Sequence, residues 1–514
     1  MWLIKPLFLS FFFSLFLTKG VVAQSSSFYF DKIVFKGNSH FSDSELKKLV
    51  ENYLSQPVDI SDLARITNSI TDWLVEQGYV TSGAYLPEQE LSDGILVIQI
   101  VEGRIDEVKV DGVSSGLQGY AQDRLAPYLE VPLNLDALET GLNVLLEDRR
   151  FSSVNAELAE GEGRDSFLYL LLEEAPTWNL SLEFGNTGTK ISDERDQNRG
   201  TIALRNHNLT GVGDEWIFSY EETGVSDFFQ TRYSVPLGGQ HRLFAEYRNN
   251  EFVSNLDFVE VALFSDTVSV GYEWEAMNRV TEELTFGVKF DWINSETFLD
   301  GERFPFNLGT FESDGQTRLR VLRLEGRYLQ RNDRSIFLAR SRVSWGLDWF
   351  DATNNEIGID GEFISVLGEL QYIIKVNDDW RLLGRGLVQL SPDAILPVEQ
   401  FSIGGINSVR GFTTAARSGD TGIFTSLQGE WDATENLTVQ LFWDWGMVGN
   451  NEIALDGINR DVTTPSILSS IGVGVNYSLL ESVVLKGSLA IPITSESEEI
   501  SQPFLVELHY QLQF

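Results

Sequence analysis

The sequence predicts two small α/β modules, each of order β-α-α-β-β, followed by an antiparallel transmembrane β-barrel over residues 177–514. Three observations carry this. One element order occurs twice between Phe28 and Glu174. After Thr177 the helical period gives way to apolar/polar alternation, in runs of about ten residues, the length at which a tilted strand crosses a bilayer. The first residues carry an export signature.

Composition narrows the function classes. The chain has 514 residues, with 38 Lys+Arg against 76 Asp+Glu, a formal net charge of −38. Such a deficit of cations argues against a nucleic-acid partner, which needs a Lys/Arg surplus for phosphate contacts. Hydrophobic residues make up 42% and charged residues 22%, which excludes a wholly disordered chain. Cysteine is absent, which removes disulfides, thiolate metal sites and cysteine nucleophiles together.

The elements follow in order. Lys5 precedes the apolar stretch Leu7–Leu17, and Val21-Val22-Ala23 supplies a cleavage region. Residues 1–23 read as a signal peptide, with Gln24 opening the mature chain. The apolar run is too short for a membrane anchor, which needs about 20 residues.

In the first module, residues 28–104, strand Phe30–Phe35 ends at Gly37-Asn38. Ser42 and Glu45 form a capping box, and Leu46, Leu49, Val50 and Tyr53 make one helical stripe. Leu63, Ile66, Ile70, Trp73 and Leu74 mark a second helix, closed by Gly78. Strands near Val80–Leu86 and Gly94–Val101 follow. The second module, residues 105–174, repeats the order with strand Ile105–Val110, helices Gly119–Leu129 and Leu135–Leu146, and strands Ser153–Leu158 and Phe167–Glu173. Each three-stranded sheet has an edge, and an exposed edge is a template for an extended peptide. The alternative is that the edges are covered.

The remaining 338 residues alternate. Leu284, Phe286, Val288, Phe290 and Trp292 interleave with polar residues, as do Leu322 and Leu324, Val343 through Trp349, Ile471 through Tyr477, and Phe504 through Phe514. Mid-strand Arg, Lys, Glu and Gly suit a wet lumen. Trp and Tyr toward strand ends suit interfacial girdles. These features separate a membrane barrel from a soluble sandwich.

Several motifs carry a resemblance. Gly78-Tyr79, Leu86-Pro87-Glu88-Gln89, Asp93-Gly94 and Val101-Glu102-Gly103-Arg104 resemble the first POTRA domain of two-partner secretion transporters. These are the TpsB, or ShlB/FhaC/HecB-type, haemolysin secretion/activation proteins. Pro132-Leu133-Asn134 and the helix after it are similar to their second POTRA domain. Glu399-Gln400-Phe401, Gly404-Gly405 and Ser408-Val409-Arg410-Gly411-Phe412 resemble the family's sixth extracellular loop, which folds back into the barrel; Phe412 stands where Tyr is frequent. Phe442-Trp443-Asp444-Trp445-Gly446 resembles the wall strand that receives it.

The resemblance implies sixteen strands, a number that periodicity does not separate from 14 or 18. It also implies an outer-membrane location with POTRA domains in the periplasm, and export of a large, unfolded, TpsA-like partner polypeptide. Family members often carry a plug helix ahead of the first POTRA domain; none is expected in Gln24–Ser27.

Alternation places Phe442, Asp444 and Gly446 on one face and Trp443 and Trp445 on the other. The tryptophans belong toward lipid, so Asp444 faces the lumen. An arginine carried inward by the loop gives that carboxylate a bidentate partner, and an Arg410–Asp444 contact is expected. The alternative is a solvated loop arginine.

Enzyme signals are weak. Gly112-Val113-Ser114-Ser115-Gly116 matches G-x-S-x-G by letter, but no helix is expected directly after it and no histidine serves it. The four histidines lack metal-ligand spacing, and Gly185–Lys190 lacks P-loop spacing. No catalysis, cofactor, metal or nucleotide is expected; the surrounding partner is outer-membrane lipid. The competing functions are an insertion factor for other barrels, from the same superfamily, and a passive porin or barrel-borne enzyme.

Overall fold

The computed structural model describes residues 27–90, 94–160, 166–188, 197–256, 259–305, 315–354, 359–451, 464–494 and 500–514. The expected signal peptide lies outside them. The chain divides into two compact units, Met1–Ala175 and Pro176–Phe514.

The first unit contains both α/β modules. Strand β1 (Lys32–Lys36) leads to helix α1 (Asp43–Val50), which opens on the expected box. Glu45 N–H donates to Ser42 Oγ at 3.3 Å, and Ser42 N–H donates to Glu45 Oε2 at 3.0 Å. Helix α2 (Ile60–Glu76) starts with a second box, Asp59 and Asp62, that the apolar stripe alone did not reveal. It stops at Gly78, whose φ of +88° is open to glycine at little cost. Strands β2 (Gly83–Tyr85) and β3 (Ile95–Val101) complete a sheet of order β1-β3-β2. Leu46, Ile66, Ile70, Leu74, Leu96 and Ile98 are fully buried between helices and sheet.

Strand β2 is shorter than the expected Val80–Leu86 at both ends: a turn, with Ser82 N–H donating to Tyr79 O at 2.9 Å, delays its start, and a side chain replaces it at its end. The Gln89 side chain takes the next rung of the ladder. Its Nε2 donates to Val97 O and its Oε1 accepts from Val97 N–H, both at 2.8 Å. An amide side chain thus covers the edge of β3 where β2 runs out.

The second module repeats the plan with β4 (Glu107–Asp111), α3 (Ser115–Leu125), α4 (Leu135–Leu146), β5 (Phe151–Glu160) and β6 (Ser166–Glu174), in sheet order β4-β6-β5. In both modules the first strand runs parallel to the central one. Helix α3 corrects the sequence expectation. It begins at Ser115, with Ser114 at the N-cap position, not at Gly119. Gly116 and Gly119 blur its stripe, although Leu117, Tyr120, Ala121 and Leu125 face the core. The G-x-S-x-G letters therefore do lie between a strand and a helix. Ser114 N–H donates to a Glu174 carboxylate oxygen at 3.0 Å.

The second unit is a closed barrel of sixteen antiparallel strands: β7 (Trp178–Gly185), β8 (Arg199–Asn206), β9 (Glu215–Thr223), β10 (Ser226–Pro236), β11 (His241–Leu256), β12 (Val259–Asn278), β13 (Glu282–Leu299), β14 (Gln316–Arg331), β15 (Ser335–Gly346), β16 (Phe363–Lys375), β17 (Trp380–Leu390), β18 (Thr421–Thr434), β19 (Leu437–Gly449), β20 (Ser466–Leu480), β21 (Val483–Pro492) and β22 (Phe504–Gln513). Strand β22 pairs with β7 from Glu507↔Gly185 to Gln513↔Asn179, which leaves no free edge.

The alternation resolves as expected in most strands. Phe286, Val288, Leu324, Ile471, Val473 and Phe504 are exposed on the outer wall. Lys289, Asp291 and Arg323 turn inward and are enclosed. The series Val343–Trp349 is an exception. Strand β15 ends at Gly346, and Leu347 is buried, its N–H donating to Arg320 O at 2.8 Å. Periodicity ran past the strand end because Leu347 and Trp349 kept the phase by accident.

The rim at which β7 starts is called the near rim, the opposite one the far rim. The near-rim turn after β18 is only Glu435-Asn436, and that after β20 only Glu481-Ser482. The sixth far-rim connection runs from Ser391 to Asp420. Such short near-rim turns opposite a far-rim loop as long as Ser391–Asp420 fit the outer-membrane pattern, although the far-rim connection Gly224-Val225 is just as short.

Candidate functional site in the barrel lumen

The Ser391–Asp420 loop does not stand out from the rim. Phe401–Ile403 pairs with Arg417–Gly419, folding the loop on itself. Gly404 and Gly405, at φ +108° and +93°, turn the chain at the inner end. A Cβ on Gly404 would sit 2.4 Å from Thr413 O, so the turn admits no side chain there. Ser408 Oγ accepts from Gly404 N–H at 2.7 Å and closes the turn. Gly411-Phe412 pairs with Gln502-Ser501, ahead of β22. Val409 and Phe412 are buried with Phe401, Ile403, Phe424, Val448 and Leu468 in one apolar cluster.

This frame places Arg410 on the wall strand β19. Arg410 Nε donates to Asp444 Oδ2 at 2.7 Å and one terminal nitrogen to Asp444 Oδ1 at 2.9 Å. The Arg410 backbone N–H donates to the same carboxylate at 3.2 Å. Gln428 Oε1 accepts from the other terminal nitrogen at 2.8 Å, and Ser426 Oγ donates to Asp444 Oδ1 at 2.6 Å. The Asp444 side chain is fully buried and that of Arg410 is 12% exposed. The guanidinium also lies 3.4 Å from the centre of the Phe442 ring.

Two glycines make room. A Cβ on Gly472 would meet Phe442 Cζ at 2.3 Å, and one on Gly446 would crowd Ile403 and Val409 at 3.0 and 3.1 Å, inside ordinary van der Waals contact. The structure thus brings Val409, Arg410, Phe442, Asp444 and Gly446 together.

A second anchor, not expected from the sequence, holds the base of the loop. Glu399 accepts from both terminal nitrogens of Arg323, at 2.6 and 2.9 Å. Arg323 Nε donates to Asp291 Oδ2 at 2.6 Å, and a terminal nitrogen donates to Ser344 Oγ at 2.7 Å. Side chains of Arg323, Glu399 and Asp291 are 7%, 8% and 0% exposed. The signal that marks Arg323 is its inward phase between Leu322 and Leu324. Its partner, 76 residues away, leaves no such mark. Fully buried Asp420 closes the loop, accepting from Ile395 N–H, Gln400 Nε2 and Asn451 N–H.

The POTRA-like motif residues do different work. Tyr79 Oη lies 3.1 Å from His40 Nε2, and its ring packs on Phe41. Glu102 accepts from Ser39 Oγ and from His40 N–H. Gly103 N–H donates to Ser82 Oγ, and Gly103 O accepts from Leu133 N–H at 2.8 Å. Gly78 O accepts from Leu135 N–H at 2.9 Å. Gly78, Gly103 and Leu133–Leu135 therefore form the joint between the two modules. Pro87 only accepts a long bond from Gln89, and Arg104 pairs at the surface with Asp106.

Among the described residues no helix is long and apolar enough to cross a membrane, which says nothing against strands. Among those residues, too, no group of three or more His, Asp or Glu could hold a metal ion.

Residues 28–103 match the POTRA domain of ShlB type, and residues 165–477 match the haemolysin secretion/activation protein family ShlB/FhaC/HecB. The chain is 26% identical over 433 residues to the outer membrane transporter CdiB of Escherichia coli O6:K15:H31 (strain 536 / UPEC), covering 79% of this chain and 70% of that protein. It is 24% identical over 392 residues to the hemolysin transporter protein ShlB of Serratia marcescens, covering 71% and 66%. Its fold is similar to the structure of CdiB from Escherichia coli, with a TM-score of 0.71 at 19% identity, over 97% of this chain and 93% of that one. A closed barrel with an apolar outer wall and a POTRA-bearing N-terminal unit is an outer-membrane protein with that unit in the periplasm. The chain belongs to the ShlB/FhaC/HecB family of haemolysin secretion/activation proteins.

Proposed function

We propose that this protein is the outer-membrane pore of a two-partner secretion pair, passing an unfolded partner polypeptide from the periplasm to the cell surface. The observation that carries the reading is the sixth loop, seated inside a closed barrel on buried charge pairs at its tip and its base. A passive porin does not require an arginine-bearing loop fastened to its wall. Here Val409, Arg410, Gly411 and Phe412 are the loop's holding residues, and Phe442, Asp444 and Gly446 are its seat.

The POTRA units receive the partner. The ten-residue edge strand β5 offers a ladder to an extended peptide, whereas the edge of β3 is partly taken by Gln89. The partner's folding outside draws the chain through, so no nucleotide is consumed. No catalytic role is assigned to any residue.

The test is removal of this protein from its host. One large polypeptide should vanish from the medium or the cell surface while other outer-membrane barrels keep their levels. Loss of those barrels instead would mean an insertion factor.

A further inference from the structure

We propose a second site on the outer wall: Arg318 and Arg320, at the far-rim end of β14, bind a phosphorylated headgroup of an outer-leaflet lipid.

Register comes first. Strands β13 and β14 pair Val288↔Leu324, Phe290↔Leu322, Trp292↔Arg320 and Asn294↔Arg318. Side chains alternate, and Val288 and Leu324 are exposed on the outer wall. Arg320, Arg318, Trp292 and Asn294 therefore belong to the same outer face. Along β14 that face reads Leu324, Leu322, Arg320, Arg318. The apolar belt ends where the arginines begin. Trp345, opposite Leu322 and 53% exposed, stands beside the boundary. This is the level of headgroups and of interfacial tryptophan.

Charge comes second. Arg320 is 6% exposed. It donates to the carbonyls of Leu319, Ile293 and Phe350 at 2.8, 3.1 and 3.2 Å, and to Asn294 Oδ1 at 3.2 Å. Among the described residues no carboxylate lies within 4.0 Å of either Arg318 or Arg320. Arg323, three positions on and facing inward, has two. In a chain of charge −38, two neighbouring outward arginines without carboxylate partners are out of character.

Shape comes third. A cavity of about 330 Å³ lies against Arg318, Arg320, Asn294, Glu296, Phe350 and Asp351. Glu296 is held by Arg303 at 2.6 Å, which leaves Asp351 as the opposing charge. Phe350 and Asp351 form the cover, both in the left-handed region at φ +53° and +58°. Two successive non-glycine residues there are strained, and such strain collects at ligand clamps. The Phe350 ring is 65% exposed and lies 6.2 Å from Trp292. The cover thus presents an aromatic surface to lipid and a carbonyl to Arg320.

The Arg318 guanidinium and the second terminal nitrogen of Arg320, whose Nε and first terminal nitrogen are held by protein oxygens, lie two residues apart on one strand face and match the oxygens of a phosphate group. Their depth selects a lipid phosphate over a free one.

The experiment uses the delipidated full chain in detergent, titrated with diphosphoryl lipid A and read by native mass spectrometry. The wild type should retain the lipid. Arg318→Gln and Arg320→Gln should each weaken retention at least about tenfold, the size of one lost charge-assisted bond. Arg334→Gln, in a near-rim turn, should not. Arg318 is exposed, so Arg318→Gln decides the matter if Arg320→Gln fails to fold as judged by heat-modifiable mobility. Equal retention by the folded Arg318→Gln protein overturns the site. Displacement of the lipid by equimolar inorganic pyrophosphate overturns the choice of a lipid.

Discussion

The tip and the base of the sixth loop are fastened by pairs of opposite sense. At the tip, loop Arg410 meets wall Asp444; at the base, loop Glu399 meets wall Arg323. They differ in what remains if the loop partner is lost. Without the Arg410 side chain, Asp444 keeps a Ser426 hydroxyl and the backbone N–H of residue 410, but no cation, in a fully buried place. Without Glu399, Arg323 still has Asp291 at 2.6 Å and Ser344. A stranded buried charge is the main cost of breaking such a pair. The tip is therefore the brittle anchor and the base the tolerant one.

Cutting both anchors has the largest expected effect. Arg410→Ala combined with Glu399→Gln should free the loop, and planar-bilayer conductance should rise above that of either single variant. Equal conductance would mean that the loop does not fill the lumen. Next in size, Arg410→Ala alone should cost about 3–5 kcal/mol of loop seating, and Glu399→Gln about 1–3 kcal/mol. Hydrogen exchange of residues 400–415 in the whole protein checks the ranking, which fails if Glu399→Gln loosens the tip more. Smaller still, Phe442→Leu removes the ring beneath the guanidinium and should cost about 2 kcal/mol or less, leaving the ion pair in place.

The smallest effect sets the lumen pairs against a buried pair in the periplasmic unit. Asp148 lies 3.0 Å from Arg150 and accepts from Tyr120 Oη at 2.6 Å. Burial alone would raise its carboxyl, but the Arg150 guanidinium and the Tyr120 hydroxyl outweigh it and hold it below its ordinary 3.8. A depressed folded-state value means that the stabilisation is whole above the unfolded value and is lost as pH falls through the folded one. Exchange protection in residues 105–174 should be flat from pH 8 to about pH 5 and decline only below about 3.8. A decline already near pH 6 would assign the sensitivity to another group.

Much of this was legible in the residues, for physical reasons. Period-2 alternation set the wall, because lipid accepts only one face of each strand. The same phase sent Asp444 inward by placing Trp443 and Trp445 outward. The Ser42 box and Gly78 marked helix ends, because caps are local chemistry. What was not legible depended on distant partners. Alternation shows that Arg323 faces inward but not that Glu399 arrives there. The start of α3 was obscured by Gly116 and Gly119, the start of β2 was delayed by the turn at Tyr79–Ser82, and its end was taken over by a side chain, Gln89, that acts as backbone. The ending of β15 at Gly346 was hidden because Leu347 and Trp349 continued the phase into a loop.

Export through this barrel is proposed to require the loop seated on the lumen wall. The direct measurement is partner export in cells carrying Arg410→Ala, with barrel assembly followed in parallel by heat-modifiable mobility. The predicted result is a fully assembled barrel in the outer membrane with export reduced at least about tenfold, given the charge stranded on Asp444. Export at the wild-type rate through an assembled Arg410→Ala barrel would contradict it.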